Sequence, residues 1–337
     1  MSFISRREFN RGLMAAGSAA LLATGARAAE FSMRQFHNQP AESPLHKSLL
    51  AMWAAVKDET HGRVDVQTFP ENDHVSGGDP AVLTMLIDGK LDFFTLNGGL
   101  IGAVVPAVNV QGIPFAFQTL EQVFTAMDGD LGEYLREEMR AKGIYALPRG
   151  AFDNGFQQLS ITTKPVRTVA DLQGMKIRTP NTALYIDAFQ ALGAMPVPMN
   201  IDKLYDALKA HEVDAQTNPL TIIELFKLYE VQKYVSLTSH LWAGFNLMAS
   251  LKVWQGLPAD IRDAIERNAV KYVKMQRQEN AALNDTLQAK LTGQGMMFNK
   301  ADANSFRARL GPFYASWKEK VGTKAWSLLE AHVGKLA

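Results

Sequence analysis

Residues 174–181, Gly-Met-Lys-Ile-Arg-Thr-Pro-Asn, set an arginine inside a short apolar run that ends in a Thr-Pro-Asn turn. Met175 and Ile177 precede Arg178 and Pro180 follows it, the pattern of a strand whose carboxyl end turns into a helix. A lone arginine there is either a surface charge or a clamp for an anion. The clamp is the stronger reading, because a guanidinium stays charged and its planar fork matches a carboxylate with two parallel hydrogen bonds. Asn218, in Gln-Thr-Asn-Pro, adds a donor and an acceptor without adding charge. This pair suits holding an organic anion, and it brings neither a nucleophile nor a general base.

The seven histidines, at 37, 46, 61, 74, 211, 240 and 332, form no HExxH, no HxH and no repeating ligand pair at helical spacing. Surface or satisfied core positions are the reading for each, and neither a metal nor a cofactor is expected. No GxSxG elbow occurs, and the run His-Val-Ser-Gly-Gly-Asp at 74–79 reads as a loop. Asn-Gly-Gly-Leu-Ile-Gly at 97–102 lacks the GxGxxG order of a dinucleotide cradle.

The elements that must position Arg178 and Asn218 are visible in an internal echo. Residues 81–99 and 201–219 each read as an amphipathic helix, a turn, and a buried strand opened by Leu-Asp or Val-Asp. Asn97 stands five residues after Asp92 and Asn218 four after Asp214, so both fall where a strand ends. Ligands of open α/β sheets bind outside the carboxyl ends of strands. Two such lobes would bring the two asparagines face to face, although each also suits capping its own turn.

The rest of the chain fits two α/β lobes. Residues 31–38 read as an opening strand ending at Asn38, 44–62 as an amphipathic helix stopped by Gly62, and 63–70 as an alternating strand. Residues 183–194 read as a helix with Tyr185, Phe189 and Leu192 packed in the core. From Pro258 to Thr292 no proline or glycine interrupts a helix of about 50 Å, longer than one lobe offers. It should span both lobes, which implies exchanged elements rather than two beads on a string. The expected division is 29–153 plus about 243–283 for lobe I, and 154–242 plus about 284–337 for lobe II.

Residues 1–28 read as an address. Ser5-Arg6-Arg7-Glu8-Phe9 is a twin-arginine start, a short alanine-rich apolar run follows, and Ala26-Arg27-Ala28 supplies a cleavage site. Removing them takes four of 35 basic residues and one of 34 acids, leaving 31 against 33, a net charge of −2. Neither that balance nor any basic cluster suits nucleic acid. The chain has no cysteine, which excludes disulfides, thiolate metal sites and a lipid anchor at the cleavage point. A free periplasmic protein without a membrane anchor is the expectation.

Several motifs, in order and spacing, resemble one family. Residues 154–180, 191–200, 204–220 and 227–240 are similar to the solute receptors of TRAP transporters, the tripartite ATP-independent periplasmic systems, of the dicarboxylate-receptor type. The resemblance implies a two-lobed venus-flytrap binding protein with a long helix across both lobes. It implies delivery of an organic acid to the membrane permease subunits of a sodium-driven system, with no catalysis. It also implies that Arg178 clamps the substrate carboxylate and that Asn218 reaches the ligand.

Departures from the family bear on the substrate. Many members carry an arginine where this chain has Gln157, and binders of acidic sugars have charged residues where Asn97 and Leu100 stand and an aromatic near Ile201. The pocket so implied is less charged than theirs. Trp242 and Phe245 could line its apolar end or pack the hinge; if they line it, an aromatic or branched 2-oxo or 2-hydroxy monocarboxylate is favoured over a dicarboxylate or a sugar acid. A receptor for an ATP-driven importer, a sensor partner and a twin-arginine-exported enzyme are the rivals, and the last lacks any catalytic motif here.

Overall fold

The computed structural model describes residues 28–336; apart from Ala28, the leader read in the sequence lies outside the described residues. Eleven strands among them form two sheets: β1 (Phe31–His37), β2 (Val64–Phe69), β3 (Phe93–Asn97), β4 (Ile144–Phe152), β5 (Gln158–Ile161), β6 (Lys176–Thr179), β7 (Met195–Pro198), β8 (Ala215–Asn218), β9 (Tyr234–Leu237), β10 (Phe245–Ser250) and β11 (Met297–Lys300). The first sheet runs β2-β1-β3-β10-β4, and the second runs β11-β9-β5-β8-β6-β7. β1 lies parallel to β2 and β3, while β10 runs antiparallel between β3 and β4. In the second sheet β6 is parallel to β7 and β8, and β5 is antiparallel to β8 and β9.

Buried apolar runs explain the placement of the central strands. Phe93, Phe94 and Leu96 of β3 are fully buried, Phe93 against Trp53 at 4.6 Å between ring centroids. Trp53 belongs to the helix Pro44–Glu59, which opens with proline in its first turn and with Ser43 accepting from the His46 amide. Tyr145 of β4 stacks on Trp254 at 4.3 Å. Both rings belong to, or pack against, the apolar cluster that holds the first sheet to the long helix.

That helix, Ala259–Gly293, has 35 residues and is about 52 Å long. Ile261, Ile265, Ala269 and Val273 pack it on the first lobe, whereas Leu291 joins Leu204, Ile223 and Val235 under the second. Midway it meets the crossing from β4 to β5. Gln276 accepts from the Asp153 amide at 2.9 Å and donates to the Asp153 carbonyl at 2.7 Å, while Asn280 donates to its carboxylate at 2.6 Å. The return crossing, from β9 to β10, pairs with the first through an isolated bridge between Phe156 and Trp242. Two crossing segments and one helix therefore join the lobes, and this junction is called the hinge below.

The C-terminal helices correct the division read from the sequence, which put all of 284–337 in lobe II. Helix Thr323–Val333 packs on the helices Leu120–Asp128 and Asp130–Arg140 of the first lobe. The preceding helix Gly311–Val321 touches the turn Pro106–Gly112 of the first lobe and helix Ala183–Ala191 of the second. Buried Trp326 and Leu329 make the physical reason plain, since their helix packs on first-lobe elements, while Trp317 lies between those and the helix Ala183–Ala191.

Candidate functional site

The carboxyl ends of β1, β3, β6 and β8 converge on one cavity with about 610 Å³ of empty space, part of it open to solvent. Of the residues singled out in the sequence, Asn38, Asn97, Gln157, Arg178, Ile201, Asn218 and Phe245 all border it. The strand order explains this convergence. Asn38 directly follows β1, Asn97 and Asn218 end β3 and β8, and β10 runs back beside β3 so that its first residue, Phe245, is paired with Asn97.

Arg178 is 3% exposed. Its Nε and Nη2 both donate to the Met199 carbonyl, at 3.1 and 2.8 Å, so one edge of the fork is fixed by backbone. Among the described residues Nη1 has no hydrogen-bond partner and no carboxylate lies within ion-pair distance. Burial pushes the guanidinium down to about 10, with Tyr185 and Asp202 working the other way, so it remains cationic at neutral pH. A buried cation costs several kcal/mol unless something pairs with it, on the order of magnitude found for buried ions generally. This arginine borders a cavity, where an anion can supply the pairing.

Asn97 caps its turn and also stands on the border of the cavity. Its Oδ1 accepts from the Gly99 amide at 2.9 Å and so caps the short helix Gly98–Ile101, while its Nδ2 donates to the Gly244 carbonyl at 3.4 Å. Asn218 is held by a 2.6 Å bond to Gln216. Trp242 lies elsewhere. It is buried in the hinge, donates through Nε1 to Asp153 at 2.9 Å and meets Phe124 edge-on at 6.4 Å; of the expected aromatic pair, only Phe245 borders the cavity. The indole N–H explains this, because a buried donor needs an acceptor and the Asp153 carboxylate sits on the hinge.

Several lining residues were missed. Tyr185, read as core, reaches the cavity from the helix Ala183–Ala191, and helical periodicity cannot tell a core face from a cavity wall. Phe189 on the same helix does pack internally, against His240. Asp79, in the stretch read as a loop, opens the helix Gly78–Asp88 and accepts from Asn72 at 2.7 Å and Asn38 at 3.0 Å. Burial raises its carboxyl, and the two amide bonds oppose that rise. Gln39, Asn154, Asn181 and Asn200 complete a wall rich in amides. Asn181 was within reach of the sequence reading, three residues after Arg178 in the quoted turn.

Two buried hydrogen-bond chains stand behind this wall. Nε2 of His37 meets Nδ1 of His46 at 2.8 Å, and His37 Nδ1 accepts from the Gln39 amide at 3.2 Å. The second chain runs Thr238, His240, Thr217, Gln157, Tyr185, with successive contacts of 2.7, 2.8, 2.5 and 3.2 Å. Burial pushes both His37 and His240 down to about 3, so both are neutral imidazoles. Among the described residues no group of three His, Cys, Asp or Glu side chains could hold a metal, and no helix is long and apolar enough to cross a membrane.

Comparison with known proteins agrees with this geometry. Residues 36–320 match the family described as "Bacterial extracellular solute-binding protein, family 7" (DctP). A solute-binding protein of Chromohalobacter salexigens is 31% identical over 287 residues, 84% of this chain and 83% of that protein. A TRAP periplasmic solute-binding protein of Sulfitobacter sp. NAS-14.1, solved with bound β-D-galacturonate, is 27% identical with a TM-score of 0.84, covering 90% of this chain and 99% of its own. The sugar acid binding protein of Advenella mimigardefordensis strain DPN7T, solved with galactonate, is 26% identical with a TM-score of 0.85, covering 92% and 100%. With two lobes, a bridging helix, a cleft at the strand ends and this family match, the chain belongs to the DctP family of TRAP solute-binding proteins, the periplasmic receptors that bind small organic acids and work with membrane permease subunits.

Proposed function

We propose that this receptor captures a polyhydroxylated monocarboxylate of sugar-acid size and performs no chemistry on it. The observation that carries the reading is Arg178: a buried guanidinium with one edge tied to backbone, no acidic partner among the described residues, and a cavity in front of it. One cation calls for one carboxylate. The remaining wall, amides plus the Asp79 carboxylate, offers donors and acceptors in the mixture that hydroxyl groups need. The aromatic or branched monoacid favoured from the sequence leaned on Trp242 as well as Phe245, and Trp242 is committed to the hinge. Relatives solved with galacturonate and galactonate point in the same direction.

Closure follows from differential affinity. Contacts from both lobes favour the closed form, and moving a 1:99 equilibrium to 99:1 takes about 5.5 kcal/mol of difference between the two forms. The test is a thermal-shift panel of aldonates, uronates, C4-dicarboxylates and aromatic 2-oxo acids. At a hundredfold excess over Kd a true ligand adds about 2.7 kcal/mol to stability. Aldonates or uronates should raise the melting temperature and the aromatic acids should not; the reverse ranking would contradict the proposal.

Asp79 sharpens the prediction. An ionised carboxylate only accepts, so it favours a hydroxyl and repels a second carboxylate. Asp79→Asn is expected to weaken binding of the preferred hydroxy acid by about tenfold to a hundredfold, the scale of one hydrogen bond to a charged group. The same change should improve binding of a dicarboxylate of matching length. Calorimetric titration of both ligands into both proteins checks the two directions at once, and parallel losses would remove Asp79 from the account.

A further inference from the structure

The chain of contacts from Thr238 to Tyr185 has a direction. Thr217 Oγ1 lies 2.5 Å from Gln157 Oε1, a separation found for O–H···O bonds and shorter than N–H···O bonds allow. The carbonyl end of Gln157 therefore faces Thr217, and its amide nitrogen faces Tyr185 at 3.2 Å. Thr217 has one proton and gives it to Gln157, so its 2.8 Å contact with His240 Nε2 must be an N–H donated by the imidazole. A neutral imidazole carries a single N–H. His240 Nδ1 is then bare and accepts from Thr238 at 2.7 Å.

Each residue along this line donates to the next as far as Tyr185, with one of the two Gln157 amide N–H groups used in the last link. The Tyr185 oxygen accepts from Gln157, and its own proton has no acceptor among the described residues. Tyr185 borders the cavity that Arg178 borders, and the two side chains sense each other's charge. Burial raises the phenol, which keeps it protonated at any pH the cell meets. We propose that the Tyr185 hydroxyl is a second donor to the ligand carboxylate held by Arg178, and that Thr238, His240, Thr217 and Gln157 are positioning residues that fix its direction. A neutral line of donors thus presents an O–H to the anion, beside the one cation that borders the cavity among the described residues. The inference rests on the reading that the carboxylate sits at Arg178.

The direction is testable without any ligand. Nitrogen-15 NMR of the His240 ring in the full chain should show the Nε2–H tautomer; an Nδ1–H ring would overturn the relay. With galactonate and galacturonate as probes, Tyr185→Phe should bind about tenfold to a hundredfold more weakly, as expected for one hydrogen bond to a charged group. Thr217→Val should bind more weakly than the wild type, Thr217→Ser should bind like it, and adding Thr217→Val to Tyr185→Phe should cost nothing further, the non-additivity of residues acting through one group. Wild-type affinity in Tyr185→Phe, or full additivity in the double variant, would refute the proposal. Should the wild type bind neither acid, the sugar-acid reading falls, while the tautomer still decides the direction of the relay.

Discussion

Arg178→Ala is expected to lose at least two orders of magnitude in affinity for its acid while folding normally. Removing one partner of a buried ion pair leaves the other charge uncompensated, a loss of about 3–5 kcal/mol. The second half of the expectation runs against intuition. In the unliganded protein Arg178 is a buried cation without a carboxylate partner among the described residues, and burial lowers its proton affinity. Replacing it by an apolar residue of similar length, Arg178→Met, should make the unliganded protein more stable by about 1–4 kcal/mol, the scale seen when buried ionic groups are exchanged for packing. A variant that cannot bind yet melts higher would show that the arginine is kept for its ligand. Urea unfolding without ligand and calorimetry with it measure the two effects, and a destabilised Arg178→Met would argue that the side chain serves the fold.

Acid should unfold this protein through two histidines. His37 and His240 are pushed down to about 3 in the folded state, against about 6.5 for a free imidazole. Between those values the unfolded chain binds more protons than the folded one, so stability is full above about pH 6.5 and is lost as pH falls towards 3. The slope for each histidine is about 1.4 kcal/mol per pH unit within that window. Asp79 and Asp92 work in the opposite sense, because burial raises both carboxyls and so favours the folded state as pH falls. Burial lowers His46 as well, so three imidazoles stand against two carboxyls, and urea midpoints taken from pH 8 to 4 should fall below pH 6.5. His240→Gln should remove one proton from the dependence; an unchanged slope would mean that the ring is protonated, and thus solvated, in the folded protein.

The candidate site was legible where its residues are placed by local pattern. Arg178, Asn97 and Asn218 stand at strand ends that the sequence marks with a short apolar run and a turn, and strand ends of parallel sheets are where ligands gather. Asp79 was not legible, because its meaning comes from Asn72 and Asn38, 7 and 41 residues away, which burial brings against it. Tyr185 was read as core and Trp242 was left open between cavity and hinge for a related reason. Both are large, buried and amphipathic, and only the location of their polar partners, Gln157 for one and Asp153 for the other, separates a cavity wall from a hinge. The long helix was visible as an uninterrupted run, but the docking of the last two helices was not. Their apolar faces would suit either lobe, and the chain returns to the first because Trp326 and Leu329 find cover there.

The central claim is that Arg178 holds the carboxylate of a hydroxylated acid inside this cavity. A crystal structure of the protein with the acid that gives the largest thermal shift tests it most directly. The account requires the ligand carboxylate within hydrogen-bond distance of Arg178 Nη1, with its hydroxyls directed to Asp79 and the surrounding amides. A carboxylate bound away from Arg178, or an acid lying outside this cavity, would contradict it.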